Sequence, residues 1–188
     1  GYKAWTNPSN YRHKTVMNPQ TGEEENLELP TFGENLKFFF KYQIGQMYAR
    51  YFLWDFVGRQ NEIQGHGAPH EGNWMTGIPG FDNPNIGGIT EGLPDGSDNN
   101  KGKNALYGFP LLLGLIGLFY HIKKDNKNAG VVGLLFFFTG LAIVIYLNQK
   151  TYEPRERDYA YTGSFYAFAI WIGLGVMAIY DFLQKKMN

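Results

Sequence analysis

Residues Ala129–Asn148 read AGVVGLLFFFTGLAIVIYLN, and the reading of this run decides the fold. Between Val131 and Leu147 only Thr139 and Tyr146 carry a polar side chain. A helix of a soluble bundle keeps a polar stripe for water; this one has none. A helix of about 20 residues covers the roughly 30 Å hydrocarbon core of a bilayer, so the run reads as a membrane-spanning helix.

Two flanking stretches have the same character. Ala105–Ile122, ALYGFPLLLGLIGLFYHI, precedes it and is the shortest of the three; Pro110 lies near its start, where a first-turn proline is tolerated. Ser164–Leu183, SFYAFAIWIGLGVMAIYDFL, follows. The expected fold is therefore mainly α, a polytopic membrane protein with three transmembrane helices at 105–122, 129–148 and 164–183. Glycines at 114 and 117, 133 and 140, and 173 and 175 would let such helices approach closely.

Charge in the short loops orients these spans. His121–Asn128 carries Lys123, Lys124 and Lys127 against one aspartate, and the tail carries Lys185 and Lys186. The excess of lysine makes residues 123–128 and the C-terminus cytoplasmic. Residues 1–104 and 149–163 are then extracytoplasmic.

The first 104 residues form a separate extracytoplasmic region holding 12 of the 17 acidic residues. Residues 1–30 are polar and read as loop or extended chain. Within 34–58, Phe39, Tyr42, Met47, Tyr51 and Trp54 recur at near-helical spacing, interrupted by Lys41, Arg50 and Asp55. An amphipathic aromatic helix at the membrane interface fits this mixture best; the competing reading is a helix packed inside an extracytoplasmic domain. Residues 61–104 are rich in Gly, Asn, Asp and Pro and read as a long turn-laden loop.

The 17 basic residues balance the 17 acidic ones, so no global field argues for nucleic acid as a partner. The chain contains no cysteine, which removes disulfides and thiolate metal sites. His66, His70 and Glu71 sit among Gly65, Gly67 and Pro69, which break the helix that paired histidine ligands would need. No metal and no cofactor is expected. Nor is there a phosphate-cradling glycine loop or a nucleophile elbow.

The remaining constellation is EPRERDY, residues 153–159. Arg155 and Arg157 stand at the membrane boundary, where a guanidinium fork suits a phosphate or pyrophosphate. They can equally pair with Glu153, Glu156 and Asp158, or meet lipid headgroups. Arg50, Asp55 and Arg59 pose the same choice between a lipid-linked substrate and a structural ion pair.

Three stretches are distinctive together: ENLKFFFKYQIGQMYARYFLWDFVGRQNEIQGHG (34–67), FPLLLGLIGLFYHIKKD (109–125), and LLFFFTGLAIVIYLNQKTYEPRERDYAYTGSFYAFAIWIGLGV (134–176). They resemble a bacterial family of large multi-spanning proteins, described as a domain of unknown function and related to protein O-mannosyltransferases. The resemblance covers the chain from about Leu29 onward, and family members are much longer, so the chain reads as an internal piece. It implies an integral glycosyltransferase of the bacterial inner membrane that moves a sugar from a polyprenyl-phosphate donor to an acceptor hydroxyl, a protein being the expected acceptor. In that class a carboxylate of an early extracytoplasmic loop acts near the acceptor hydroxyl, which places the catalytic group outside these residues. Arg155, Arg157 and Arg59 are then candidate ligands of the lipid phosphate, with Glu153, Glu156 and Asp158 as supporting ion pairs. Membrane lipids and the parent protein's other helices are the further partners. The piece alone is expected to enter membranes without transferring sugar. A non-catalytic membrane scaffold and a transport module for lipid-linked saccharides are the alternatives.

Overall fold

The computed structural model describes residues 1–20, 22–63, 68, 71–85, 101–151 and 157–187. The chain is mainly helical. It opens with short 3-10 turns and an antiparallel hairpin, β1 (Arg12–Met17) and β2 (Glu24–Leu29), in register from Arg12 opposite Leu29 to Met17 opposite Glu24. Every residue of both strands is exposed, so this ribbon adds little to the core. The polar stretch expected to be loop or extended chain is thus a hairpin tied down at its base.

The tie is Glu34. It is 5% exposed and accepts hydrogen bonds from the Asn7 backbone N–H and from Asn10 Nδ2, both at 2.7 Å. These bonds hold its carboxyl below the ordinary carboxylate range. Tyr2 and Trp5 complete the attachment by packing on Phe38 and Tyr42, at ring separations of 4.5 and 5.1 Å.

A long aromatic helix follows. It begins as α1 (Phe32–Phe38), capped by the Thr31 hydroxyl on the Glu34 N–H, and ends as α2 (Arg50–Phe56). Between them Phe39–Ala49 is π-helical, and the Arg50 N–H reaches back to the Gly45 carbonyl. The wider turn changes which residues share a face. Glu34, Phe38, Tyr42, Met47 and Tyr51 are all buried, at intervals of four to five residues rather than the 3.6 of an α-helix.

After this helix, β3 (Gly58–Arg59) pairs with β4 (Asn104–Ala105) beside the short helix α3 (Pro79–Asn85). Part of the stretch expected to be one long loop is therefore built. Asn61 Oδ1 accepts from the Gly72 N–H at 2.8 Å, and Asn73 Nδ2 donates to the Ala68 carbonyl at 2.9 Å. Asp82 accepts from the Thr76 N–H, the Thr76 hydroxyl and the Gly77 N–H at 2.8, 2.6 and 2.6 Å. These side chains replace a sheet as the means of satisfying backbone groups.

The apolar runs form α4 (Phe109–Lys124), α5 (Asn126–Thr139), α6 (Leu141–Leu147) and α7 (Thr162–Met187). Two helical stretches are long and apolar enough to cross a membrane, Asn126–Leu147 and Asp158–Met187. Their most apolar windows are only 11% and 22% buried, whereas the core helix of a soluble protein would be mostly enclosed. Helix α4 has 16 residues, about 24 Å of rise. Large side chains on these helices, among them Phe119, Leu134, Phe138, Ile179 and Phe182, stand exposed.

Helices α4 and α7 run parallel, because Gly114 meets Phe168, Gly117 meets Trp171 and Lys124 meets Asp181. Their backbones nearly touch. A Cβ at Gly117 would run into the Trp171 carbonyl oxygen, and one at Gly175 into the Leu113 carbonyl oxygen. Gly133 and Gly173, expected to serve the same purpose, have open space around them. The parallel arrangement also gathers Lys123, Lys124, Lys127, Lys185 and Lys186 at one end of the bundle, with residues 148–151 and the aromatic helix at the other.

Replacing Gly117 by Leu should force α4 and α7 apart and lower the thermal midpoint by on the order of 5 °C. Gly173→Leu should leave it unchanged; the comparison is read by thermal unfolding in detergent.

Candidate functional site

The end of the bundle opposite the lysines is built by three elements that meet around one tyrosine. Tyr161 is fully buried at the start of α7. Tyr48 of the π-helical segment packs on it edge to face, with centroids 5.2 Å apart at 84°. Tyr48 donates to Ser164 Oγ at 3.2 Å, and Tyr161 donates to Gln149 Oε1 at 3.2 Å. Helices α2, α5 and α7 are joined next to this by Phe52, Phe56, Phe136, Phe165 and Phe168, whose rings meet at 4.7–6.4 Å.

On one side of Tyr161 lies a cleft of about 480 Å³. Asp55 of α2 and Asp158 line it together with Tyr159, Phe165, Tyr166 and Ala169. The two carboxylates come from segments about a hundred residues apart, brought together because α2 lies against the first turns of α7. Crowding by surrounding atoms strips water from the Asp55 carboxyl and raises its pKa above the usual carboxylate value. The Arg59 cation opposes that shift and the Asp158 charge adds to it. The side chain nonetheless keeps an exposed face, so a ligand can reach it.

Of the arginines singled out from sequence, Arg59 is half-buried. Its Nε donates to the Gly102 carbonyl at 2.8 Å, and its guanidinium lies 5.2 Å from the Trp54 ring centroid. Its charge acts on Asp55, and its backbone pairs with Asn104 of β4. Arg157 is half-buried at the head of the turn Asp158–Tyr161, where its carbonyl accepts from the Ala160 N–H at 3.0 Å. Asp158, expected as an ion-pair partner for these arginines, is placed in the cleft facing Asp55. Glu153, Arg155 and Glu156 lie outside the described residues, as do His66 and His70.

Arg50 takes the structural side of the choice left open by sequence. It is 3% exposed, donates to the Gln46 and Gly72 carbonyls at 3.0 Å each, and lies over the rings of Tyr51 and Trp54. It pins the segment around Gly72 to the aromatic helix.

A further cleft, about 420 Å³ and almost wholly apolar, lies between Leu53, Trp74, Ile78, Phe81, Tyr107 and Leu111. Sequence reasoning missed this groove, because its walls come from three separate segments. It also missed the carboxamides Gln43, Asn148 and Gln149. Their one signal was the polar pair Asn148–Gln149 directly after the longest apolar run.

Comparison with family models, with curated proteins and with solved structures finds no match. The site's chemistry therefore rests on its own geometry.

The raised pKa of Asp55 has a signed consequence. Between the ordinary aspartate pKa and the raised one, the folded chain holds a proton that the unfolded chain has released. Stability should therefore fall as pH rises through that window. Thermal midpoints measured across the acidic range should show this slope. Asp55→Asn should remove it, Asp158→Asn should move it to lower pH, and Arg59→Gln should move it to higher pH.

Proposed function

We propose that the chain is part of an integral-membrane glycosyltransferase that moves a sugar from a polyprenyl-phosphate donor to an acceptor hydroxyl. The observation that carries this reading is the cleft in which Asp55 faces Asp158 beside Arg59, at the bundle end opposite the lysines. Such a transfer needs a proton acceptor beside the attacking hydroxyl and positive charge beside the departing phosphate.

Asp55 suits the first task, in place of the carboxylate that the resemblance puts outside these residues. A carboxylate with a raised pKa is a stronger base than an ordinary one, and this one remains reachable. The acceptor oxygen bonds to the anomeric carbon as the bond from that carbon to the phosphate oxygen breaks. The acceptor's proton goes to Asp55, and polyprenyl phosphate leaves as the anion. Arg59 and Arg157, with Arg155 in the adjoining segment, are the cations for that anion. Loss of hydration keeps Asp55 basic, with the Asp158 charge adding to it, and Asp158 can accept a hydrogen bond from the acceptor. The groove at Leu53, Trp74, Phe81 and Leu111 is chemically suited to isoprenoid carbons.

The membrane assignment completes the reading. Helix α4 with its N-terminal extension, α5–α6 and α7 are three spans of a bacterial inner-membrane protein. The lysine-rich end is cytoplasmic, and residues 1–104 and 149–163 are extracytoplasmic. The aromatic helix crosses the outer end of the bundle at headgroup depth, where its tyrosines and tryptophan find both apolar and polar surroundings. The acceptor is a protein hydroxyl, and membrane lipid and the parent protein's other helices cover the exposed apolar faces.

In the full-length protein, Asp55→Asn should lower sugar transfer from a polyprenyl-phosphate donor by about 100-fold or more. Alanine at Arg155, Arg157 or Arg59 should each weaken transfer by about tenfold or more. Normal transfer in the well-expressed Asp55→Asn and Arg157→Ala proteins would sink the assignment.

A further inference from the structure

A second cleft lies on the other side of Tyr161, at about 670 Å³ the larger of the two. It opens where the N-terminal turn, α1, the π-helical segment and the residues after α6 meet. Its described lining is of two chemical kinds. Tyr2, Phe38 and Phe39 offer aromatic rings, and Asn35, Gln43, Asn148 and Gln149 offer carboxamides. No carboxylate is among these lining residues, and Lys150 is the cation.

The carboxamides are set in place before any ligand arrives. Gln43 is 4% exposed, and its Nε2 donates to Asn148 Oδ1 at 2.9 Å and to the Gln149 carbonyl at 3.0 Å. Asn148 holds the left-handed conformation at φ 42°, which asparagine takes more readily than most residues. The Tyr42 hydroxyl fixes the next residue by donating to the Lys150 carbonyl at 3.1 Å. Gln149 is 3% exposed; its Oε1 is taken by Tyr161, while its Nε2 has no hydrogen-bond partner. A buried N–H without an acceptor is a standing cost that a ligand oxygen relieves.

A carboxamide presents donor and acceptor together, as does a hydroxyl, so a row of carboxamides matches a row of vicinal hydroxyls. Aromatic faces beside that row match the C–H face of a ring. We propose that this cleft binds a neutral saccharide, with Gln43, Asn148 and Gln149 reading its hydroxyls and Tyr2 and Phe39 covering its apolar face. The preference for a neutral polyhydroxyl ligand stands on the cleft alone; that the ligand is a sugar rests on the proposed glycosyltransferase function. Asp55 lines the other cleft and is not among the residues of this one, so the bound sugar is one held apart from the reacting carbon, as in an acceptor that already carries a saccharide.

The test is saturation-transfer NMR on the full-length protein in nanodiscs, with mannose, N-acetylglucosamine and inorganic phosphate as probes. Transfer to at least one sugar is expected, and Gln149→Met should weaken its binding about tenfold or more. Tyr161→Phe, which breaks the same internal hydrogen bond from the other side, should leave it within about threefold. If Gln149→Met does not fold, Tyr2→Ala at the rim should still weaken binding by about threefold or more. No signal from either sugar, phosphate binding in their place, or unchanged binding in the folded Gln149→Met protein would overturn the proposal; the last result would mean that Gln149 meets only water. Sugar binding without any transfer from a polyprenyl-phosphate donor would remove the proposed function and leave the cleft. Normal transfer in a Gln149→Met protein, with no sugar binding in the parent, would do the reverse.

Discussion

The hydroxyl of Tyr48 sits where a side chain at Gly140 would otherwise be, with Ser164 on its far side. A Cβ at Gly140 would come within 2.6 Å of that hydroxyl and 2.9 Å of the Ser164 Cβ. The missing side chain has a second effect, since the helix from Asn126 to Leu147 breaks at Gly140 into α5 and α6. One position thus bends a span and admits the aromatic helix to its flank. Because Tyr48 docks there, Phe52 and Phe56 reach Phe165 and Phe168, and Asp55 arrives opposite Asp158. The ordering of residues 148–151 and of both clefts follows from the same contact through Tyr161 and Gln149.

The apolar helices were legible because length and an unbroken apolar composition are local properties of the sequence. Their boundaries moved by only a few residues, with α5 starting at Asn126 and α7 reaching Met187. The aromatic helix was legible in existence but not in its facing. A 3.6-residue reading cannot see that Phe39–Ala49 winds more widely, nor that Gln43 and Gln46 are buried. Arg50 was left between a lipid-linked substrate and a structural ion pair. Its partners are the Gln46 carbonyl and the Tyr51 and Trp54 rings of its own helix, together with the Gly72 carbonyl, which no local pattern announces. Of the candidate site, the sequence named Arg59 and Arg157 as phosphate ligands, Asp158 as an ion-pair partner, and Asp55 beside Arg59 on the aromatic helix. That Asp158 faces Asp55 depends on a contact between distant segments, and such contacts leave no periodic trace.

Energetically the bundle is uneven. Helices α4 and α7 approach until their backbones nearly touch, which maximises the dispersion contacts between them. Elsewhere the same helices present bulky, uncovered side chains. The part before α4 is held differently, by carboxamides and carboxylates such as Asn61 and Asp82, each of which accepts from two backbone N–H groups. Such networks specify geometry strongly when complete, and Asp82 and Asn61 are complete in this sense. Gln149, whose Nε2 has no hydrogen-bond partner, and the Tyr51 hydroxyl stand out against that background.

The π-helical stretch also bears on how this chain can vary. Removing or adding one residue between Gln43 and Ala49 would rotate everything beyond it by about 100°. Tyr51, Trp54 and Asp55 would then exchange their neighbours, and the span-facing phenylalanines would turn away from Phe168. Substitutions in this helix act one side chain at a time, whereas a change of length acts on all of them together. Over evolutionary time its residue count should therefore be held more tightly than its residue identities.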